Sequence, residues 1–214
     1  RNQMNAMKSD LSTEKQVNPH DVNPHTRGRR ILFGGQVLAS FMLTLLASLL
    51  VPGHARAQNL IVNGSFEIGP QPPIGQQVSL NPGSPAVQGW LVTRDKVDYF
   101  DNTWASCADG VRGFDLNGSP GQGGLLQIIS TTPGRVYVVQ FSLAGNPDPA
   151  AGDTVTVKRM RVTAAEQTSD EFLFDVTGHS LQDPGWVDRS WAFVANSASS
   201  SLEFYSTTQS NCLP

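Results

Sequence analysis

The sequence predicts that residues 58–214 form an all-β domain, either a sandwich or a barrel. This stretch is rich in glycine, proline and small polar residues, and its apolar segments are short. Several segments alternate polar and apolar residues, as Thr154-Val155-Thr156-Val157-Lys158 does, which is the period of a half-buried strand. No segment beyond residue 58 shows a convincing helical period. These three observations favour a single domain built from strands.

The predicted strands are short, β-branched or aromatic segments bounded by turn residues. We predict strands at 60–62, 77–80, 89–93, 97–100, 112–116, 124–130, 136–143, 154–158, 171–176, 188–195 and 201–206. Turn dipeptides such as Asn63-Gly64 and Pro133-Gly134 separate nearly all of them. This spacing is typical of sandwiches and barrels.

Residues 27–57 have the pattern of a secretory signal peptide. Arg27, Arg29 and Arg30 precede an apolar run at 31–51, and Ala55-Arg56-Ala57 matches the small-x-small cleavage site. The run is also long enough to be an uncleaved membrane anchor. The cleavage site favours removal of the segment, so we predict a secreted or cell-surface protein that begins at Gln58.

The two ends of the sequence carry their own expectations. Residues 1–26 are polar and aperiodic, and we interpret them as a disordered tail or an over-extended gene start. The last predicted strand is followed only by a cysteine-bearing polar segment, residues 207–214. We therefore expect the domain to lack its last strand, together with any membrane anchor that would follow residue 214.

Charge excludes some partners for the predicted mature domain. Seven of the chain's 15 basic residues and three of its 18 acidic residues precede Gln58, which leaves eight basic and 15 acidic residues in 58–214. Such a surface does not attract nucleic acid or anionic membranes. It is compatible with neutral glycans and with calcium.

Cys107 and Cys212 both lie in the predicted mature domain. An even number of cysteines in an exported chain favours a disulfide between them. Two free thiols are the alternative that spacing alone leaves open.

An ordered set of short motifs resembles a known family. The motifs are Leu60–Glu67, Gly89-Trp90, Val97–Tyr99, Trp104, Asp109-Gly110, Asp115–Gly118, Gly123-Gly124 with Gln127, Thr131–Gly134 with Tyr137, Phe141, and Gly145–Pro147. The set resembles the bacterial choice-of-anchor C proteins, which are related to the plant cell-wall proteins grouped as domain of unknown function 642. The resemblance covers residues 59–210. It implies a galactose-binding-like jelly-roll β-sandwich, secretion, and an association with cell-wall polysaccharide.

The resemblance also implies a structural calcium ion at Glu67. In similar jelly rolls an acidic residue at this position binds calcium together with backbone carbonyls and an acid from the last strand. Calcium needs six to eight oxygen ligands, and Glu67 is the one that this sequence offers. The alternative is a solvated glutamate at the end of a strand.

A sugar-binding site is predicted where acids and aromatic residues cluster, between residues 95 and 109. There Tyr99 and Trp104 would stack on a pyranose ring, and Asp98 would bind its hydroxyls. Trp104 lies in a polar loop and is the strongest candidate for an exposed aromatic. In the alternative interpretation, Tyr99 and Phe100 face opposite sides of a strand, one of them in the core, and the acids are solvated loop residues.

Asp115 and Asn117 end a strand in a turn, so their plain role is structural, and a ligand role for both is the alternative. We expect the other three tryptophans, Trp90, Trp186 and Trp191, in the core.

No motif indicates catalysis. The chain has no Gly-x-Ser-x-Gly elbow, no His-Glu-x-x-His and no phosphate-binding glycine loop, and the one histidine after residue 58 is His179, in a Gly-Ser turn. We therefore predict a non-catalytic module that binds cell-surface or matrix polysaccharide. A structural or adhesive surface protein with no small ligand is the alternative, and a hydrolase accessory domain or a cryptic enzyme is a third.

Overall fold

The computed structural model describes residues 58–118, 121–147 and 155–209, together with the backbone of 10–13. These residues form strands, turns and loops and contain no helix, so the predicted all-β sandwich class is confirmed. No helix of the described residues could span a membrane.

The strands are numbered in chain order over the described residues. They are β1 (Asp10–Thr13), β2 (Gln77–Leu80), β3 (Leu91–Thr93), β4 (Val97–Asp101), β5 (Arg112–Asp115), β6 (Gly124–Ser130), β7 (Val136–Leu143), β8 (Val157–Ala164), β9 (Gln167–Thr168), β10 (Phe172–Asp175), β11 (Val187–Val194) and β12 (Ser199–Ser206).

The strands form three antiparallel sheets. The largest has the order β10-β8-β12-β6-β3, with β9 paired to β8, and the other two have the orders β1-β7-β11 and β2-β4-β5. One core cluster takes buried side chains from all three sheets, among them Tyr99, Phe141 and Phe204. The rings of Phe141 on β7 and Phe204 on β12 meet edge to face with centroids 5.4 Å apart. The sheets therefore bury their apolar faces against one another, as in a sandwich.

The alternation of side chains explains which faces point inward. On β8 the even-numbered residues from Lys158 to Ala164 are buried and the odd-numbered ones are half-buried. The sequence predicts a strand at 154–158, and Lys158, Arg159 and Arg161 hide its continuation among basic residues. The strand instead runs from Val157 to Ala164, so Val155 and Thr156 precede it, and Thr154 lies outside the described residues.

The segment 60–62 is not a strand, contrary to the prediction. A buried side chain supplies its hydrogen bonds: the Val62 amide donates to Gln127 Oε1 (2.8 Å), and Gln127 Nε2 donates to the Val62 carbonyl (3.0 Å). The backbone then turns with positive φ at Asn63 (53°) and Phe66 (64°). These two bends prevent the segment from extending along a neighbouring strand.

Strand β1 lies within the tail that the sequence analysis interpreted as disordered. It pairs antiparallel with β7, and Leu11 is the register partner of Val139. The pairing covers an edge of β7 whose amides and carbonyls would otherwise need other partners. The predicted signal peptide at 27–57, the end of the chain from residue 210 and Cys212 lie outside the described residues.

A candidate binding site at one end of the β2-β4-β5 sheet

The three-stranded sheet β2-β4-β5 has two chemically different ends. In the register of β4 and β5, Asp101 lies opposite Arg112 and Asp98 lies opposite Asp115. The two pairs are three residues apart, about 10 Å along the strand. We call the first the Trp104 end, because residues 102–111 form the loop there, and the second the Asp115 end. The predicted sugar-binding residues are divided between these ends.

The Asp115 end is buried. Asp98 and Asp115 are both 0% exposed. The Ser79 hydroxyl donates to Asp98 Oδ1, and the Asn117 amide donates to Asp115 Oδ1 (2.9 Å). Asn146 Nδ2, in the segment after β7, lies 3.4 Å from Asp115 Oδ2. The Ser79 contact joins β2 to β4, and the Asn146 contact joins the end of β5 to the segment after β7.

Burial changes the acidity of Asp115. Removal from water, with the Asp98 carboxylate adding to it, raises the pKa of the Asp115 carboxyl well above its ordinary value. The hydrogen bond from the Asn117 amide and the positive charge of Lys158 oppose that shift without cancelling it. A carboxyl in this environment favours its neutral form.

The side chains of Asn117 and Tyr99 also form hydrogen bonds within the protein. Asn117, 7% exposed, accepts a hydrogen bond at Oδ1 from the Ser206 hydroxyl (3.0 Å). The Tyr99 hydroxyl donates to the Phe66 carbonyl (2.6 Å), and burial raises the pKa of Tyr99 to about 12. Four of the five predicted sugar ligands, Asp98, Tyr99, Asp115 and Asn117, are therefore covered by protein. A sugar at the surface reaches none of them unless the sandwich opens.

Trp104 lies at the opposite end and is half-buried. Its ring packs against Phe100 of β4 with centroids 5.0 Å apart. The Trp104 amide donates to the Asp101 carbonyl (3.0 Å), and the Asn102 amide donates to the Val111 carbonyl (3.0 Å), which closes the loop. The structure thus holds the indole on a short, internally bonded loop.

Asp101 is the polar centre of the Trp104 end. Its Oδ1 accepts from the Thr103 amide (2.9 Å), and its Oδ2 accepts from Arg112 Nη1 (3.0 Å) and Gln71 Nε2 (3.3 Å). Arg112 Nη2 in turn donates to Gln71 Oε1 (2.7 Å). Burial alone would raise the pKa of Asp101, but hydrogen bonds from Thr103 and the Arg112 guanidinium outweigh it and hold that pKa below its ordinary value.

The segment 63–76 forms one side of this end. Glu67 Oε1 accepts from the amides of Val111 (2.9 Å) and Arg112 (3.2 Å). The Gly75 amide donates to the Thr103 hydroxyl (2.9 Å). Among the described residues no three His, Cys, Asp or Glu side chains are grouped to hold a metal ion. Calcium at Glu67 stays a prediction, and the contacts seen here are to backbone amides.

The segment 180–186 forms the other side. The Ser106 amide donates to the Leu181 carbonyl (2.9 Å), and Trp186 Nε1 donates to the Ser106 carbonyl (2.9 Å). Trp186 is half-buried and packs against the small apolar cluster of Phe100 and Ala105. Trp186 also packs against the main core, where the sequence predicts it, but its position beside the Trp104 loop is not predicted.

The structure also shows where the two remaining tryptophans lie. Trp90 is 3% exposed and lies in the main core as predicted, whereas Trp191 is half-buried at its edge.

Cys107 has a free thiol, and burial raises its pKa to about 12. Because Cys212 lies outside the described residues, the disulfide stays a prediction.

The Trp104 end is therefore a site assembled from three segments, 63–76, 102–111 and 180–186. It presents two half-buried indoles beside paired charges and hydrogen-bonded loops. Gln71, Arg112 and Trp186 belong to it, although the sequence analysis did not place them there. Arg112 could have been found from sequence, because it directly follows the Trp104 loop and a charged residue there suits a polar binding surface. Gln71 and Trp186 come from distant segments and could not.

One comparison with known proteins bears on the whole domain. A family model described as "Protein of unknown function (DUF642)" matches residues 59–214. The matched range covers β2 to β12 and all three segments of the Trp104 end.

Proposed function

We propose that this protein, which belongs to the DUF642 family, is a secreted, non-catalytic module that binds polysaccharide of the cell surface or matrix through its Trp104 end. The observation that supports this most directly is the half-buried Trp104 indole, held where three loop segments converge. Loops on a rigid scaffold are where binding residues concentrate.

The proposed mechanism combines stacking with hydrogen bonds. The accessible part of the Trp104 ring would stack on the apolar face of a pyranose. Polar groups of the surrounding loops, including exposed Asn102 and Gln182, would exchange water for sugar hydroxyls. Such exchanges give little net free energy each, so a single site would bind with modest affinity.

The buried acids support the non-catalytic part of the proposal. Glycoside hydrolysis uses two carboxyl groups that both face the substrate. Asp98 and Asp115 are paired across two strands but are fully buried. At the Trp104 end, Asp101 is bound by Arg112 and Thr103, which favours its charged form and leaves it unsuited to be a general acid.

Two finer assignments belong to the same proposal. The order of the motifs from Leu60 to Pro147 supports placing the chain among the choice-of-anchor C proteins within the wider family. The Ala55-Arg56-Ala57 pattern supports export, with the mature chain beginning at Gln58. Cleavage there would also remove β1 and leave the edge of β7 that it covers open in the exported domain.

A structural or adhesive surface protein is the second candidate, and one observation favours it. Trp104 and Trp186 both pack against Phe100 and Ala105, and the Trp186 indole N–H donates to the Ser106 carbonyl. Two tryptophans in this position could simply close the end of the sandwich. In that case their removal would weaken the fold and change no binding.

A glycan-array screen distinguishes the two candidates. The wild-type chain and Trp104→Ala are applied to neutral and acidic polysaccharides, with calcium and with chelator. Trp191→Ala is the matched control, because Trp191 is also a half-buried tryptophan but lies on β11, where it stacks on Phe193. The proposal expects binding to one polysaccharide class that Trp104→Ala loses and Trp191→Ala keeps. Folded protein that binds nothing would favour the structural role instead.

A further inference from the structure

We propose that Glu67 is a positioning residue for the Trp104 loop, which it holds through two backbone amides rather than through a bound cation. This inference rests on the proposed function, because it identifies the group that fixes the binding loop in place. It assigns to Glu67 a role different from the calcium ligation that the family resemblance implies.

The geometry of Glu67 is that of a carboxylate capping a turn. Its Oε1 accepts from the consecutive amides of Val111 and Arg112, at 2.9 Å and 3.2 Å. Two N–H groups that converge on one oxygen form an anion-binding concavity. Because the bonds are charge-assisted, they are stronger than bonds to a neutral acceptor. The contact joins positions 44 residues apart in the chain.

Gly110 shows that the loop is shaped around this carboxylate. Its φ is +62°, in the left-handed region that glycine adopts without strain. A Cβ at this position would lie 2.2 Å from Glu67 Oε1. Any other residue here would push the carboxylate away from the two amides. Backbone conformation and space therefore both favour glycine beside Glu67.

The contact lies where it controls the orientation of the loop. Val111 closes the loop through its carbonyl, which accepts from the Asn102 amide (3.0 Å). Arg112 begins β5 and binds Asp101, whose carbonyl accepts from the Trp104 amide. Glu67 thus bonds to both residues at which the Trp104 loop joins β5. Without it, the loop keeps its contacts to residues 180–186 and the Gly75–Thr103 hydrogen bond, but its junction with β5 loses the tie to residue 67.

The donors around Glu67 Oε1 do not suit a cation. An amide N–H presents its positive end to the carboxylate and repels a metal at the same oxygen. Calcium needs six to eight oxygens, and in the described part of the chain no group of three metal-binding side chains surrounds this position.

The test measures amide exchange in the full chain, which is independent of any glycan. Glu67→Ala removes the acceptor, and Glu67→Gln keeps an oxygen at the same position without the charge. Gly110→Ala disrupts the same contact from the loop side, because the added Cβ would displace the Glu67 carboxylate. Asp170→Ala is the control for the loss of one exposed negative charge, in the connection before β10. Hydrogen exchange at Val111 and Arg112 is followed with calcium and with chelator.

We expect Glu67→Ala and Gly110→Ala each to speed exchange at the Val111 and Arg112 amides roughly tenfold, as the loss of a tertiary hydrogen bond does. The double variant should be no faster than the faster single variant, because both remove one contact. Glu67→Gln should stay within about threefold of wild type, and Asp170→Ala and chelator should change nothing.

Two results would overturn the inference. In the first, chelator speeds exchange in the wild type and Glu67→Gln behaves like Glu67→Ala, which would show that a cation occupies the site. In the second, Glu67→Ala leaves the Val111 and Arg112 amides unchanged, which would show that the carboxylate does not hold the loop. Should the exchange results agree with the inference while no glycan binds, the proposed function fails and the role of Glu67 stands.

Discussion

Asp101 and Asp115 lie on neighbouring strands of one sheet and are both nearly inaccessible, yet their surroundings shift their acidity in opposite directions. Asp101 faces the Arg112 guanidinium and the Thr103 amide and hydroxyl, which hold its pKa below the ordinary value. Asp115 is enclosed by protein beside a second carboxylate, Asp98, and its pKa is well above the ordinary value. Burial disfavours charge at both positions, so the partners decide the outcome.

The comparison separates a polar end that is structural from one suited to binding. At the Asp115 end the two carboxyl groups accept hydrogen bonds from within the sandwich, donated by Asn117, Ser79 and Asn146. At the Trp104 end the charges hold surface loops that carry half-buried indoles. The buried acids therefore do not mark the proposed site, which lies where polar groups support a half-buried aromatic.

The largest effect is expected from Arg112→Ala. It leaves the Asp101 carboxylate without its guanidinium, with the two side chains only 8% and 11% exposed. Removing one partner of a buried pair costs about 3–5 kcal/mol, and we expect the lower part of that range because Thr103 still donates to Asp101. Urea denaturation measures the change. The exposed Arg135→Ala is the control, and an equal loss there would contradict the assignment.

The second prediction concerns pH and the Asp115 end. A carboxyl whose pKa is raised in the folded state makes folding less favourable as pH rises from its unfolded pKa to its folded one. The free energy of unfolding should therefore increase as pH falls from 7 towards 4, by at most about 1.4 kcal/mol per pH unit from this group. Asp115→Asn should be more stable than wild type at pH 7 and should lack this component.

Asp101 contributes with the opposite sign. Its pKa is lowered in the folded state, so its stabilisation is present above its unfolded pKa and is lost as pH falls through the folded pKa. The two carboxyls together give a maximum of stability in mildly acidic solution. Denaturation curves for wild type and Asp115→Asn between pH 3 and 8 measure it. If the two proteins have the same pH profile, the burial argument for Asp115 is wrong.

A smaller effect is expected from Tyr99→Phe, between the two ends. The change deletes the hydroxyl that donates to the Phe66 carbonyl and keeps the ring packed on Phe114. One hydrogen bond contributes about 1 kcal/mol, and the Phe66 carbonyl is then left without this donor. Tyr205→Phe is the control on an outward-facing tyrosine. A loss of glycan binding with unchanged stability would instead support the predicted sugar contact of Tyr99.

The sequence was informative where the determining contacts are local. Alternation located most of the strands from β2 to β12, but it missed β9, reached only the first two residues of β8 and predicted a strand at 60–62 that does not form. A polar loop predicted an exposed Trp104, and the residue is half-buried. The turn at Asn117 could also be predicted, because the Asx contact from Asp115 spans two residues.

Long-range contacts explain what the sequence could not show. Ser206, which binds Asn117, lies 89 residues further along the chain, and Asn146 lies 31 residues beyond Asp115. Nothing near Asp98 or Asp115 in the sequence indicates that they are buried together. The hydrogen bonds of Glu67 to Val111 and of Gln71 to Asp101 likewise depend on the folded positions of segments far apart in sequence.

The most direct test of the binding surface maps a bound glycan onto the backbone by NMR. The polysaccharide class identified on the array is titrated, as a soluble oligosaccharide, into isotope-labelled protein. The account predicts chemical-shift changes concentrated at 102–106 and 180–186, with the amides of Asp98 and 115–117 unaffected. Changes centred on 115–117 and Asn146 instead would show that the Asp115 end opens to bind and would contradict the account.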